Sequence, residues 1–193
     1  MPVLRVAMVL PGIGRVQRGA ETAFIELARG LSADDDVHVE LFGSGRQGVE
    51  GLHVQQIKCI PRERFEGWPR LPCLRSETYY EELTFVLNLA ASRRFRPSDF
   101  DVTVTCCYPF INWFLQRSAR GDGPLQIYVT QNGDWPCSRI NSEYRAFRCD
   151  GLVCTNPGYF EAQRDRYRAT LIPNGVDPDI FKPAPHPGID VYD

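Results

Sequence analysis

The chain lacks a long apolar run, a CxxC cysteine pair and, almost entirely, lysine, and the first two absences each argue against a class of protein. No stretch of its 193 residues approaches the roughly 20 apolar residues that a membrane-spanning helix needs. Membrane contact is therefore expected to be at most peripheral, at the inner face. Met1 to Leu10 has no charged leader and no small-residue cleavage site; it runs straight into a glycine loop and reads as a strand, not a signal, so the expected compartment is the cytoplasm. The seven cysteines, Cys59, Cys73, Cys106, Cys107, Cys137, Cys149 and Cys154, are odd in number and follow no small-secreted-domain pattern. They are expected to be reduced and mostly buried, the adjacent Cys106 and Cys107 packing at the end of an apolar strand. His38, His53 and His186 are too scattered for a zinc site, and no metal is expected. A net charge of -2 argues against nucleic acid as a partner. All but two of the 22 basic residues are arginine, a type suited to bidentate contact with phosphates and carboxylates, but genome composition is the favoured explanation of the bias.

What is present is ordinary globular material, 43% apolar and 24% charged, of a length that fits one domain with a full core. Val3 to Leu10 is almost continuously apolar, as a strand buried on both faces of a parallel sheet must be. Pro11, Gly12, Gly14 and Gly19 break the chain before Phe24, Ile25, Leu27, Ala28 and Leu31 set a helical spacing over Glu21 to Leu31. Val37 to Phe42 and Leu52 to Ile57 are the next strands. Cys59 to Arg75, with Pro61, Pro69, Pro72 and four arginines, is expected to be an irregular surface segment. Ser76 then caps a helix whose stripe is Tyr79, Leu83, Val86, Leu87 and Ala90, running to about Phe95 and stopping at Pro97. Arg93, Arg94 and Arg96 form its solvated basic end, favoured there by the helix dipole without any lipid partner.

Further strands are expected at Asp101 to Cys106, Leu125 to Thr130, Gly151 to Thr155 and Thr170 to Pro173. Helices at Phe110 to Ala119, Ser138 to Phe147 and Pro157 to Tyr167 separate them, with Asn156 as the cap of the last. The alternation predicts an α/β domain over residues 1–182, Rossmann-like and doubly wound around a mostly parallel sheet. The proline-rich stretch 183–193 is expected to open a linker to a further domain.

Ligands of such a sheet bind beyond the carboxyl ends of its strands. Three segments stand there. In PGIGRVQRGAE, Pro11 to Glu21, Gly19 opens a helix and lets backbone N–H groups approach an anion. Gln17 stands where a dinucleotide fingerprint needs its third glycine, and no GKS or GKT ending makes it a Walker loop. From the loop alone, a tight turn and a phosphate site are equally good readings. In TQNGDWP, Gln131, Asn132 and Asp134 offer donors and acceptors and Trp135 a flat apolar face, a set suited to a sugar, with Tyr108 on the same rim. A turn with a core tryptophan is the alternative. The third segment, IPNGVD, is locally a turn.

In combination, LRVAMVLPGIGRVQRGAETAFIELARGL, TQNGDWP, CDGLVCTNPGYFEAQRDRY and LIPNGVDPDIFKP resemble family 4 of the GT-B glycosyltransferases over nearly the whole chain. The resemblance implies the first of two Rossmann-like domains facing a cleft. This domain would bind the acceptor, while a C-terminal domain or a second chain would hold the nucleotide-sugar. It further implies that Gly19, with the N–H groups of Ala20 and Glu21, faces the donor diphosphate, and that Asn174, Gly175, Val176 and Asp177 form the turn between the domains. The implied activity is retaining transfer of a hexose or similar sugar from a nucleotide-diphosphate donor to a small-molecule or glycan acceptor, with no further cofactor. The chain alone would be inactive. It departs from the family in having Gln131 and Asn132 where many relatives place a histidine, and it has no pair of glutamates seven residues apart, a feature of the family's donor domain. A non-catalytic nucleotide- or ligand-binding module on the same sheet is the alternative. A nicotinamide-dependent oxidoreductase is disfavoured by Gln17 and by the absence of an acidic residue after Leu41-Phe42-Gly43. A receiver module would need carboxylates where Leu10 and Pro11 stand.

Overall fold

The computed structural model describes residues 3–72, 74–106, 109–118, 123–131 and 147–175. Seven strands, β1 (Leu4–Val9), β2 (Val37–Gly43), β3 (His53–Gln56), β4 (Val102–Cys106), β5 (Leu125–Thr130), β6 (Gly151–Cys154) and β7 (Ala169–Leu171), form one sheet in the order β3-β2-β1-β4-β5-β6-β7. Every pairing between them is parallel. The chain winds outward from β1 to β3, returns to β4 on the other side of β1, and winds the opposite way. The fold is therefore α/β, Rossmann-like and doubly wound, and the β1/β4 junction is its switch point.

Among the described residues four α-helices cover the sheet: α1 (Gly19–Ser32), α2 (Glu77–Ala91), α3 (Pro109–Ser118) and α4 (Pro157–Gln163). The right-handed crossover rule sends α1 to one face and the helices after β3 to the other, since the winding reverses between them. The packing of α2 on α3 agrees. Apolar continuity made β1 central: Ala7, Met8, Val9 and Leu10 have no exposed surface and meet Phe24 and Ala28 of α1 in the main core. At the opposite end of the sheet Asp101 and Asp150 repeat one device. Each stands just before a strand and accepts the backbone N–H of the neighbouring one, Asp101 from Arg5 and Asp150 from Gln126, both at 2.8 Å.

Helix α2 departs most from the sequence expectation. It ends at Ala91, because Ser92 is extended, and Phe95 turns back into the core against Phe42, with ring centroids 5.0 Å apart. Arg93, Arg94 and Arg96 are exposed on the turn after the helix instead of forming its last turn. Ser76 is at the cap position, but its side chain makes no capping bond. The buried face is Tyr80, Glu81, Glu82, Phe85, Val86 and Leu89; of the expected stripe only Val86 belongs to it, Tyr79 and Leu83 are half-buried, and Leu87 and Ala90 are exposed. Two carboxylates, which an apolar-periodicity argument assigns to solvent, are thus buried. Helix α4 stops at Gln163, short of Tyr167, and Asn156 caps it as expected by accepting from Gly158 N at 2.7 Å. The irregular segment before α2 contains one 3-10 turn, Arg62–Phe65. The helix expected at 138–147 lies, apart from Phe147, outside the described residues.

A candidate ligand site at the carboxyl edge of the sheet

The loop after β1 is tied down before it reaches α1. Ser44, Gly45 and Gln47, beyond the tip of β2, donate backbone bonds to Pro11, Ile13 and Gly14 at 3.0, 2.9 and 3.3 Å. Gly14 has φ +72, and a Cβ there would lie 2.8 Å from the Gln47 carbonyl. At Gly12 a Cβ would overlap the carboxylate of Glu21. Neither position has room for a side chain, Gly12 because of the Glu21 carboxylate and Gly14 because of the Gln47 carbonyl and its positive φ. Gly19 differs: it is exposed, and a Cβ there would meet nothing within 4 Å. It opens the 14-residue α1 from an Arg18 cap whose side chain makes no capping bond. The first-turn N–H groups of Gly19, Ala20 and Glu21 precede the first intrahelical bond, Thr22 N to Arg18 O at 2.9 Å. Such a terminus favours an anion through both its donors and its dipole.

Glu21 contributes its N–H to that turn, but its side chain turns inward. It is 2% exposed and its Oε2 has no hydrogen-bond partner. Burial pushes its carboxyl above the ordinary carboxylate value, against the opposing pull of its own backbone N–H and the Arg15 guanidinium.

Sequence reasoning missed the ionic network behind this loop. Arg15 donates Nε to Ser44 Oγ at 3.1 Å and reaches Glu81 of α2 with one terminal nitrogen and Glu63 with the other. Ser44 Oγ in turn donates to the Pro11 carbonyl at 2.6 Å. Arg62 Nε lies 3.4 Å from Glu81 Oε2, and Arg18 lies 3.6 Å from Glu63. Glu81, only 1% exposed, thus receives two guanidinium groups. The available signal was the pair Glu81-Glu82 among apolar residues of a helix, opposite arginines in both adjoining loops. Glu82 Oε1 accepts Ile111 N at 2.9 Å and so places a buried carboxylate on the first turn of α3.

Farther along the same edge the structure joins two residues predicted for separate roles. Gln131, after β5, and Asn174, after β7, exchange reciprocal amide contacts at 3.5 and 3.4 Å across the end of β6. Beneath them Thr155 N donates to Thr130 Oγ1 at 3.1 Å. Gly175 is exposed beside Asn174. Tyr108, Asn132, Asp134, Trp135, Val176 and Asp177 lie outside the described residues.

Among the described residues no group of three His, Cys, Asp or Glu side chains could hold a metal ion. No described helix is long and apolar enough to cross a membrane. Cys106 and Cys154 are buried; Cys59 and Cys149 are half-buried. Burial pushes the Cys149 thiol up to about 12, with Asp150 and Cys154 adding to the effect. No known protein-family model matches the chain, and no curated protein matches its sequence.

Proposed function

We propose that the chain is the acceptor-side domain of a retaining GT-B sugar transferase, taking a sugar from a nucleotide-diphosphate donor whose main binding domain is a C-terminal partner or a second chain. The observation that carries this reading is the exposed Gly19 opening α1, beyond the carboxyl end of the central strand β1 beside the switch point. Its N–H groups suit a diphosphate, and its one structural glycine without a packing role suits close approach. In retaining transfer the anomeric C–O bond loosens while negative charge grows on the departing diphosphate. Fixed N–H donors aimed at that charge stabilise the transition state more than the ground state. Gln131 and Asn174, along the same edge, offer amide donors and acceptors to sugar hydroxyl groups, at the cost of their contact with each other.

The domain by itself should bind without turnover, since half a cleft neither excludes water nor aligns donor with acceptor. The test is heteronuclear NMR titration of the chain with UDP, GDP and NAD. Shifts confined to Gly19, Ala20 and Glu21 with a nucleoside diphosphate, and transfer activity on joining a donor domain, support the reading. Diphosphate binding with no activity in any two-domain form would favour the non-catalytic module. Preferential NAD binding would overturn both readings.

A further inference from the structure

The connection between β3 and α2 carries an exposed apolar tip held on a rigid base. Trp68 and Leu71 are 54% and 45% exposed, and every residue from 66 to 72 faces solvent. Beneath them Phe65, Leu74 and Tyr80 form a small core separate from that of the sheet. Trp68 meets Phe65 and Tyr80 edgewise, with centroids 5.0 and 5.5 Å away. The Tyr80 hydroxyl donates to the Pro69 carbonyl at 2.5 Å, and Leu71 and Leu74 exchange backbone bonds at 3.2 and 3.0 Å. Pro69 and Pro72 restrict the tip further. The exposure of Trp68 and Leu71 is thus enforced by a framework that pays its ordering entropy in advance of any contact.

The charge around the tip indicates what it meets. Residues 58–75 hold five basic and two acidic side chains in a chain of net charge -2. Arg62 and Glu63 are engaged by Glu81, Arg15 and Arg18, but Lys58, Arg64, Arg70 and Arg75 are exposed. Arg64 and Arg70 have no ion-pair partner among the described residues.

We propose that this tip docks on an anionic lipid surface, Trp68 and Leu71 entering the headgroup layer while Arg64 and Arg70 contact lipid phosphates. An indole suits that layer because its body is apolar and its N–H polar, and guanidinium groups bind phosphate bidentately. A tip of a few residues is small for a stable protein interface, which buries about 800 Å² on each partner. It is sufficient for peripheral attachment, where apolar insertion and electrostatic attraction add.

The test is co-sedimentation of the chain at low salt with phosphatidylcholine vesicles, with and without phosphatidylglycerol. Sedimentation is expected only with the mixed vesicles, to weaken on adding salt, and to fall about tenfold or more in Arg64→Glu/Arg70→Glu and in Leu71→Ser. Those side chains are exposed, so both variants should keep the wild-type circular dichroism. Trp68→Ala should lose binding as well, but it removes a packing ring and is interpreted only if its melting curve is unchanged. Failure of the wild-type chain to sediment with mixed vesicles, or binding that both charge-reversed and Leu71 variants retain, would overturn the proposal. So would a concentration-dependent dimer that these same substitutions dissociate, which would make the tip a protein contact.

Discussion

Arg15, in the loop after β1, reaches across to Glu81 in the middle of α2, and this ion pair ties the candidate ligand loop to the opposite face of the sheet. The carboxylate is buried and also faces Arg62, so it holds two cations at once.

Glu81→Ala is expected to lower stability by about 3–5 kcal/mol, the usual result of removing one side of a buried ion pair, and Arg15→Ala by less, because Arg62 still faces the carboxylate. Urea unfolding measures this. A change below about 1 kcal/mol in both variants would show that the network contributes nothing net.

At Gly12 the expectation is steric. An added methyl would displace the Glu21 carboxylate from its enclosed position, so Gly12→Ala should cost about 1–3 kcal/mol. The double variant Gly12→Ala/Glu21→Ala should lose less than the sum of the two single changes, and a double-mutant cycle giving strict additivity would contradict the contact.

Glu21 also predicts a pH dependence. Its carboxyl is raised in the folded chain above the ordinary 4.5, so between those values the native state keeps a proton that the unfolded chain has released. Its contribution is fully present below 4.5 and is lost as pH rises through the folded value. Glu21→Gln should therefore melt higher than the parent at neutral pH, with the difference shrinking toward acid. A constant difference across that range would remove burial as the dominant cause.

Gly19→Val separates ligand binding from folding. Open space around Gly19 means that the substitution should leave the melting temperature nearly unchanged. In a two-domain enzyme it should abolish transfer, because the branched side chain blocks approach to the first-turn N–H groups. Full activity in the variant would remove Gly19 from the site.

Cys149 should resist alkylation. With its thiol near 12, about one molecule in ten thousand is thiolate at pH 8. Peptide mass spectrometry after iodoacetamide treatment should find Cys149 unmodified in the native chain and modified in urea; rapid native labelling would contradict its burial.

The parallel sheet was legible because burial on both faces demands a near-continuous apolar strand, a pattern that Val3 to Leu10 carries, and because strand and helix patterns alternate along the chain. Gly19 could be placed at a helix start from the break at Pro11 to Gly19 and the spacing that follows. The roles of Gly12 and Gly14 could not be separated from that of Gly19, since what distinguishes them is the atoms each would meet: the Glu21 carboxylate, the Gln47 carbonyl, or nothing. Helix α2 was misread for a related reason. Periodicity counts Glu81 and Glu82 as polar, but Arg15, Arg62 and the first turn of α3 make burial of those carboxylates tolerable.

The central strand, the alternation of strands and helices and the glycine break thus follow from local chemistry: side-chain shape, apolar periodicity and backbone freedom act within a few residues. Tertiary structure decided which carboxylates are buried, that Gln131 meets Asn174, and that Trp68 stands exposed on its own small core. The first two outcomes depend on partners far along the chain and the third on the fold of a short irregular segment, and a buried charge or an exposed ring has no local signature until its partner is in place.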